Sequence, residues 1–258
     1  MKRLIIILAL CVGVAVQAAA LAIVERADSA YNKEDYPSAI ALYNQAIDEG
    51  YVSAGIYYNL GNAYYRDGRP GRAVIAYERS LRIDPGNADT RANLDFVRSR
   101  LEDLPEDDNS FLTNVHHDVV TAQSANGWAW TALAVFVLMC GAVALYIFSG
   151  NVMLRKTGFF GAIVLAVLTV YFIVVAADAY ARLSDDSEAV VIVPTTLLNS
   201  VPRQPRQTEK VVPLHEGTKV EIIDSVSTPD DPVSPRWYNV KINNSTGAWL
   251  RATDVERI

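Results

Sequence analysis

The chain has 258 residues, of which 51% are hydrophobic, a net charge of −6 and two cysteines. That length holds one large domain or two modest ones. The acidic balance excludes a nucleic-acid partner, which needs a basic face. Cys11 and Cys140 both fall inside apolar runs and read as small hydrophobes, not as a disulfide or zinc ligands.

Residues 1–22 start with Lys2 and Arg3, continue through an apolar core and end in small residues from Ala18 to Ala22. This is the layout of a secretory signal peptide, with cleavage after Ala18, Ala20 or Ala22. The apolar stretch to Val24 is also nearly long enough for an uncleaved anchor. Leu10 stands where a lipobox requires a small residue, so lipidation of Cys11 is not expected.

An offset of 34 superposes Tyr31 on Tyr65, Ala39 on Ala73, Ile40 on Val74, Tyr43 on Tyr77 and Ile47 on Leu81. That is the period of tetratricopeptide (TPR) helix–turn–helix repeats. Residues 23–104 are accordingly expected to form two repeats plus a capping helix. The second unit resembles the TPR pattern closely, with Tyr57, Leu60-Gly61, Tyr64, Ala73, Tyr77, Ser80 and Pro85 in place. The first keeps Ala27, Ala39, Tyr43 and Ala46 but lacks the Leu-Gly pair. Two repeats make a minimal array, of marginal stability unless a neighbour supports it.

The doublets Tyr57-Tyr58 and Tyr64-Tyr65 lie seven positions apart, almost two helical turns. Tyr57 and Tyr64 are expected in the core. Tyr58 and Tyr65, with Asn62 between them, fall on the face that TPR arrays turn to their concave groove. Tyr31 extends that row, and Asn93 and Phe96 continue it. The candidate partner-binding residues are thus Tyr31, Tyr58, Asn62, Tyr65 and Asn93, aromatic anchors for a segment of another protein. Packing of these rings on the chain's own linker is the competing reading. A carboxylate clamp is not expected, because Val24 and Asp28 stand where it needs a basic residue.

Residues 105–127 are acidic at first, and then place Phe111, Val115, Val119 and Ala122 at helical spacing, as in a surface-lying amphipathic helix. His116, His117 and Asp118 do not read as a metal site, since adjacent helical side chains diverge. Residues 128–148 and 158–179 are apolar runs of membrane-spanning length. The connector at 149–157 carries Arg155 and Lys156 without an acid, whereas Asp118, Asp185, Asp186 and Glu188 lie on the outer flanks. By the positive-inside rule the connector is cytoplasmic and both other parts of the chain lie outside.

Residues 188–258 change to short β runs between Pro, Gly, Asn and Asp, which suggests a small closed barrel. The order of "TTLLNSVP", "LHEGTKVEIID" and "RWYNVKINNSTGAWLRATDVERI" resembles a bacterial SH3-like domain. Its large rings Trp237, Tyr238 and Trp249 are the candidate contacts, with at least one tryptophan expected in the core. The loops at 201–208 and 226–235 read as mobile. No catalytic motif is present, so no catalytic residue, metal or cofactor is assigned.

The fold class read from the sequence is therefore multidomain: a helical TPR array, a two-helix transmembrane hairpin and a small all-β SH3-like barrel. In that order the architecture resembles the BatE family, TPR proteins of bacterial Bat aerotolerance operons. The resemblance implies an inner-membrane component facing the periplasm, with membrane-anchored von Willebrand factor A proteins as partners and the lipid bilayer as its support. Two functions follow: a non-enzymatic scaffold acting through the TPR groove, or an envelope tether binding peptidoglycan peptides through the SH3-like domain.

Overall fold

The computed structural model describes residues 21–101, 103, 111–203, 212–228, 231–242 and 247–258. All but the last two positions of the expected leader at 1–22 lie outside them. The chain divides into two compact units: N-terminal helices with the C-terminal strands, and the apolar helices between.

In the first unit, helix α1 covers 21–32 among the described residues. It is followed by α2 (Tyr36–Asp48), α3 (Ala54–Arg66), α4 (Pro70–Ile83) and α5 (Ala88–Arg98). The helix starts follow the sequence period. Ser53 caps α3 by accepting from the Ile56 amide, and Asn87, one period later, caps α5 by accepting from Thr90. Superposed positions are buried alike, Ala39 and Ala73 at 0% exposure, and Tyr43 and Tyr77 at 1% and 2%. Gly61 lets the helices approach, since a Cβ there would lie 2.6 Å from the Tyr77 ring. One core assignment needs correction. Ile56 fills the interior at the head of α3, while Tyr57 is only half-buried against the core's edge.

The turns inside the two repeats also match. The Asp35 amide donates to Ala30 O at 3.0 Å, and that of Arg69 to Tyr64 O at 2.9 Å. Both turns need a left-handed residue: Gly68 has φ 77°, and Glu34, in the matching place, φ 61°. A side chain in that conformation costs about 1–2 kcal/mol, and glycine's extra chain entropy offsets roughly 0.5–1 kcal/mol of the gain. Thermal unfolding of Glu34→Gly should therefore show a protein more stable by roughly 0.5–1 kcal/mol, and Gly68→Glu a comparable loss.

The C-terminal strands are β1 (Glu188–Val191), β2 (Thr195–Leu198), β3 (Val212–His215), β4 (Lys219–Thr228), β5 (Asp231–Lys241), β6 (Ala248–Arg251) and β7 (Val255–Arg257). Five form an antiparallel sheet in the order β6-β5-β4-β1-β7, and β2 pairs with β3. Only three residues, Ala252–Asp254, connect the sheet's opposite edges, β6 and β7. Four strand spacings in a flat sheet would span about 19 Å, while that connection reaches roughly 14 Å at most. The sheet must curl. Yet no ladder joins β6 to β7 among the described residues, so the closed barrel expected from the sequence is not found. The loop expected at 226–235 is also largely strand, because β4 and β5 stay paired to Thr228↔Asp231.

These strands pack directly on α4. Val190 and Ile258 share the core of the helices. The Gly71 amide donates to Glu216 Oε1 at 3.0 Å, and a Cβ on Gly71 would lie 2.7 Å from Val191 O. Arg79 donates to Arg257 O at 2.7 Å, and Arg82 to Ile258 O at 2.9 Å. The short array thus has the supporting neighbour that its size calls for.

The second unit holds α6 (Phe111–Val120), α7 (Ala125–Phe148) and α8 (Val152–Ala181). Both long helices are apolar enough to cross a membrane. The connector expected at 149–157 is shorter, since Asn151 caps α8 by accepting from Met153 N at 2.8 Å; Arg155 and Lys156 lie within the helix. A Cβ on Gly158 would lie 2.7 Å from Ala142 O, so the two backbones touch there. Trp128 stacks on Phe172 and donates to Val120 O, tying α6 to the hairpin. His116 pairs with Asp178 at 3.0 Å and His117 with Arg182 at 3.1 Å, as conventional polar contacts.

Candidate partner-binding face of the helical repeats

The first, third and fifth helices carry the row of residues picked out by the sequence, and the structure joins most of them by hydrogen bonds that recur with the repeat. In the first repeat, Asp28 accepts from the Tyr43 hydroxyl and, at 3.3 Å, from Asn59 Nδ2. One period on, Asn62 accepts from the Tyr77 hydroxyl at 2.7 Å and from Asn93 Nδ2 at 3.0 Å. Each set links both helices of one repeat to the first helix of the next. Burial pushes the Tyr43 phenol well up, helped by its bond to Asp28, and burial with the neighbouring Tyr58 does the same for Tyr77. Both rings therefore stay neutral donors.

Tyr58 joins the second set as acceptor from Asn93 at 3.2 Å and tilts against the Tyr77 ring. Asn62 and Asn93 are thus occupied with holding the repeats together, and the half-buried Tyr58 rests on them. Tyr31 and Tyr65 stand further along the helices. Tyr31 packs edge-on against Tyr36, and Tyr65 edge-on against Phe96, which is 46% exposed.

A second recurring pair lies beside these rings. The Tyr65 hydroxyl accepts from Arg100 Nη1 at 3.1 Å, and the same guanidinium lies 4.1 Å above the Phe96 ring. One period earlier, the Tyr31 hydroxyl faces Arg66 and raises its pKa, with Tyr36 adding to the effect. Sequence reasoning missed both arginines, along with Asp28, Asn59 and Tyr77 as members of the polar sets. The signal was available: Arg66 and Arg100, like Asn59 and Asn93, repeat at the same offset of 34 as the tyrosines.

In the C-terminal strands the expected contacts fare differently. Trp237 and Tyr238 are only 6% and 9% exposed, so neither offers a ring to a ligand. Tyr238 enters the sheet's own core, and Trp237, paired across the ladder with Val226, is buried outside that cluster. Trp249 is half-buried on β6, where it pairs with Asn199 and Asn239.

Residues 24–88 match the tetratricopeptide repeat family. The chain therefore contains TPR repeats, modules that mediate protein–protein interaction and are typically non-catalytic. A comparison with curated proteins gives no match.

Proposed function

We propose that this protein is a non-enzymatic scaffold anchored in a bacterial inner membrane, whose TPR face grips a segment of a partner protein on the periplasmic side. The observation that carries this reading is the ring row Tyr31, Tyr58, Tyr65 and Phe96, half-buried to exposed on one side of repeats cross-tied by hydrogen bonds. Such a face is rigid before a partner arrives, which lowers the entropy cost of binding. Two apolar helices of spanning length support the anchor. The Arg155 and Lys156 charges near their connection, against the acids flanking the outer ends, support the sidedness.

By its order of parts the chain remains similar to the BatE proteins, and the strand-rich region to SH3-like domains. On that reading, membrane-anchored von Willebrand factor A proteins are the partners and the setting is an aerotolerance or stress complex. The strands act chiefly as a brace for α4. Burial of Trp237 and Tyr238 removes two of the three rings on which peptidoglycan binding would depend.

A photo-cross-linking residue at Tyr58 or Tyr65, in the full chain in its native membrane, should give a defined protein adduct. The adduct should be lost on Phe96→Ala and absent when the probe replaces exposed Asp48 on the opposite helix. Equal labelling from both positions would sink the proposal.

A further inference from the structure

Four arginines of the repeats are paired with a carboxylate: Arg69 with Asp67, Arg79 with Glu256, Arg82 with Glu188 and Arg98 with Glu78. Arg66 and Arg100 differ. Arg100 donates to the Tyr65 hydroxyl, Tyr31 is the chief neighbour acting on Arg66 with Glu34 a lesser one, and among the described residues neither arginine has a carboxylate within ion-pair distance. A neutral hydroxyl orients a guanidinium without cancelling its charge. Arg100 spends one of its five N–H donors on Tyr65 and is steadied from below by Phe96. Among the described residues its other donors meet no carboxylate, which leaves them for a two-oxygen contact.

The two cations stand one repeat apart, and packed helices lie about 8–10 Å from each other. A polyproline II segment rises about 3.1 Å per residue with three residues per turn, so every third side chain returns to the same side after roughly 9 Å. Aromatic-lined grooves are also the surfaces on which such segments dock. Charge and ring content point to one occupant, whose three-residue rise is of the same order as a typical helix separation.

Resting on the scaffold reading above, we infer that the groove takes an extended, proline-containing acidic segment of its partner, with carboxylates three residues apart meeting Arg66 and Arg100 while the residues between lie on Tyr31, Tyr58, Tyr65 and Phe96. The contact is salt-sensitive and selects acids over their amides.

The test uses the full chain in lipid nanodiscs and two fluorescent peptides, one of repeated Glu-Pro-Pro and one of repeated Gln-Pro-Pro. Anisotropy should show the glutamate peptide binding at least tenfold more tightly. The advantage should shrink as salt rises from roughly 50 to 300 mM. Arg66→Gln with Arg100→Gln should bring the two peptides to parity without shifting the unfolding midpoint, while the double lysine variant keeps part of the preference. Equal binding of both peptides, lost on Tyr65→Ala, would overturn the acidic segment but leave the groove standing. Binding of neither peptide, with the Tyr58 cross-link intact, would do the same. Binding that emerges only after Glu106, Asp107 and Asp108 become amides would assign the face to the chain's own linker, and overturn the inference.

Discussion

Replacing Glu78 by glutamine releases the C-terminal strands from helix α4 while both keep their secondary structure. Glu78 accepts from Arg98 and lies 3.7 Å from Lys219 Nζ, which in turn contacts Glu188 at 2.8 Å; Arg82 reaches Glu188 at 3.4 Å. The Glu78 side chain is only 15% exposed. Removing one partner from a buried ion pair costs about 3–5 kcal/mol; with Arg98, Lys219 and Glu188 at 37%, 32% and 35% exposure, solvent screening brings the loss here to roughly 1–3 kcal/mol. With Glu78 neutral, Arg98 loses its carboxylate, and Lys219 and Arg82 are left with Glu188 alone. Hydrogen exchange should show the α4 surface and β1 opening together in the variant, while β4 and β5 retain protection. Unchanged protection along α4 would refute the role given to this cluster.

Acid should imitate the mutation. Burial by itself drives the Glu78 carboxyl upward, but Lys219, Arg98 and Arg82 outweigh it and hold the carboxyl below its usual range. Asp103 follows the same course: burial raises it, while the side chain and amide of His215 and the hydroxyl of Thr218 lower it further. A carboxylate depressed in the folded state adds stability at pH values above its unfolded pKa, near 4.3 for Glu and 3.9 for Asp. That stability drains away as pH falls through the folded value. Docking of the strands should therefore hold at neutral pH and weaken from about pH 4 downward. The Glu78→Gln protein should show a shallower acid dependence, since one of the two titrating groups is already absent.

The helical repeats were legible because their signal is periodic. Ala39 and Ala73, or Tyr43 and Tyr77, announce a shared burial by recurring, and the caps Ser53 and Asn87 and the turn residues Glu34 and Gly68 obey the same offset. The two long apolar helices were legible by length and by the absence of charge from their central stretches. Docking of the strands on α4 was not, because Glu78 and Lys219 are ordinary surface residue types, 141 positions apart, with nothing in either neighbourhood to mark a partner. The closed barrel is not found among the described residues for a related reason: strand runs and turns were visible, but pairing between edge strands is a long-range property that no local pattern encodes. The rings of β5 show a further limit. Alternation separates Trp237 from Tyr238, yet both are buried, and only Tyr238 belongs to the sheet's core cluster. Arg66 and Arg100 recur at the repeat offset, but nothing local in the sequence separates an arginine beside a tyrosine from a solvated one.

The other large effect is expected at Gly61. A Cβ at this position would lie 2.6 Å from Tyr77 Cε1 and 2.7 Å from Cδ1. The ring has no room to yield, since it is 2% exposed, tilts against Tyr58 and has its hydroxyl fixed by Asn62. Gly61→Ala gains about 1 kcal/mol of helix propensity and meets an overpacking cost of roughly 1–3 kcal/mol, so it should be mildly destabilising. Gly61→Val adds two methyl groups in the same space and forgoes most of the propensity gain, for a net loss of about 3 kcal/mol or more. Gly55, in the same helix, supplies the control. Nothing lies within 4 Å of its Cβ position, so Gly55→Ala should stabilise the protein by up to about 1 kcal/mol. Chemical denaturation of the three variants distinguishes steric pressure from helix propensity. Pairing Gly61→Ala with Tyr77→Leu should recover part of the loss if the ring is the obstacle. Tyr77→Phe should recover none, because it keeps the ring and removes only the hydroxyl that Asn62 holds. If valine at position 61 were as well tolerated as alanine at position 55, the close approach of α3 and α4 would have no energetic meaning, and the cross-tied face built on it would lose its foundation.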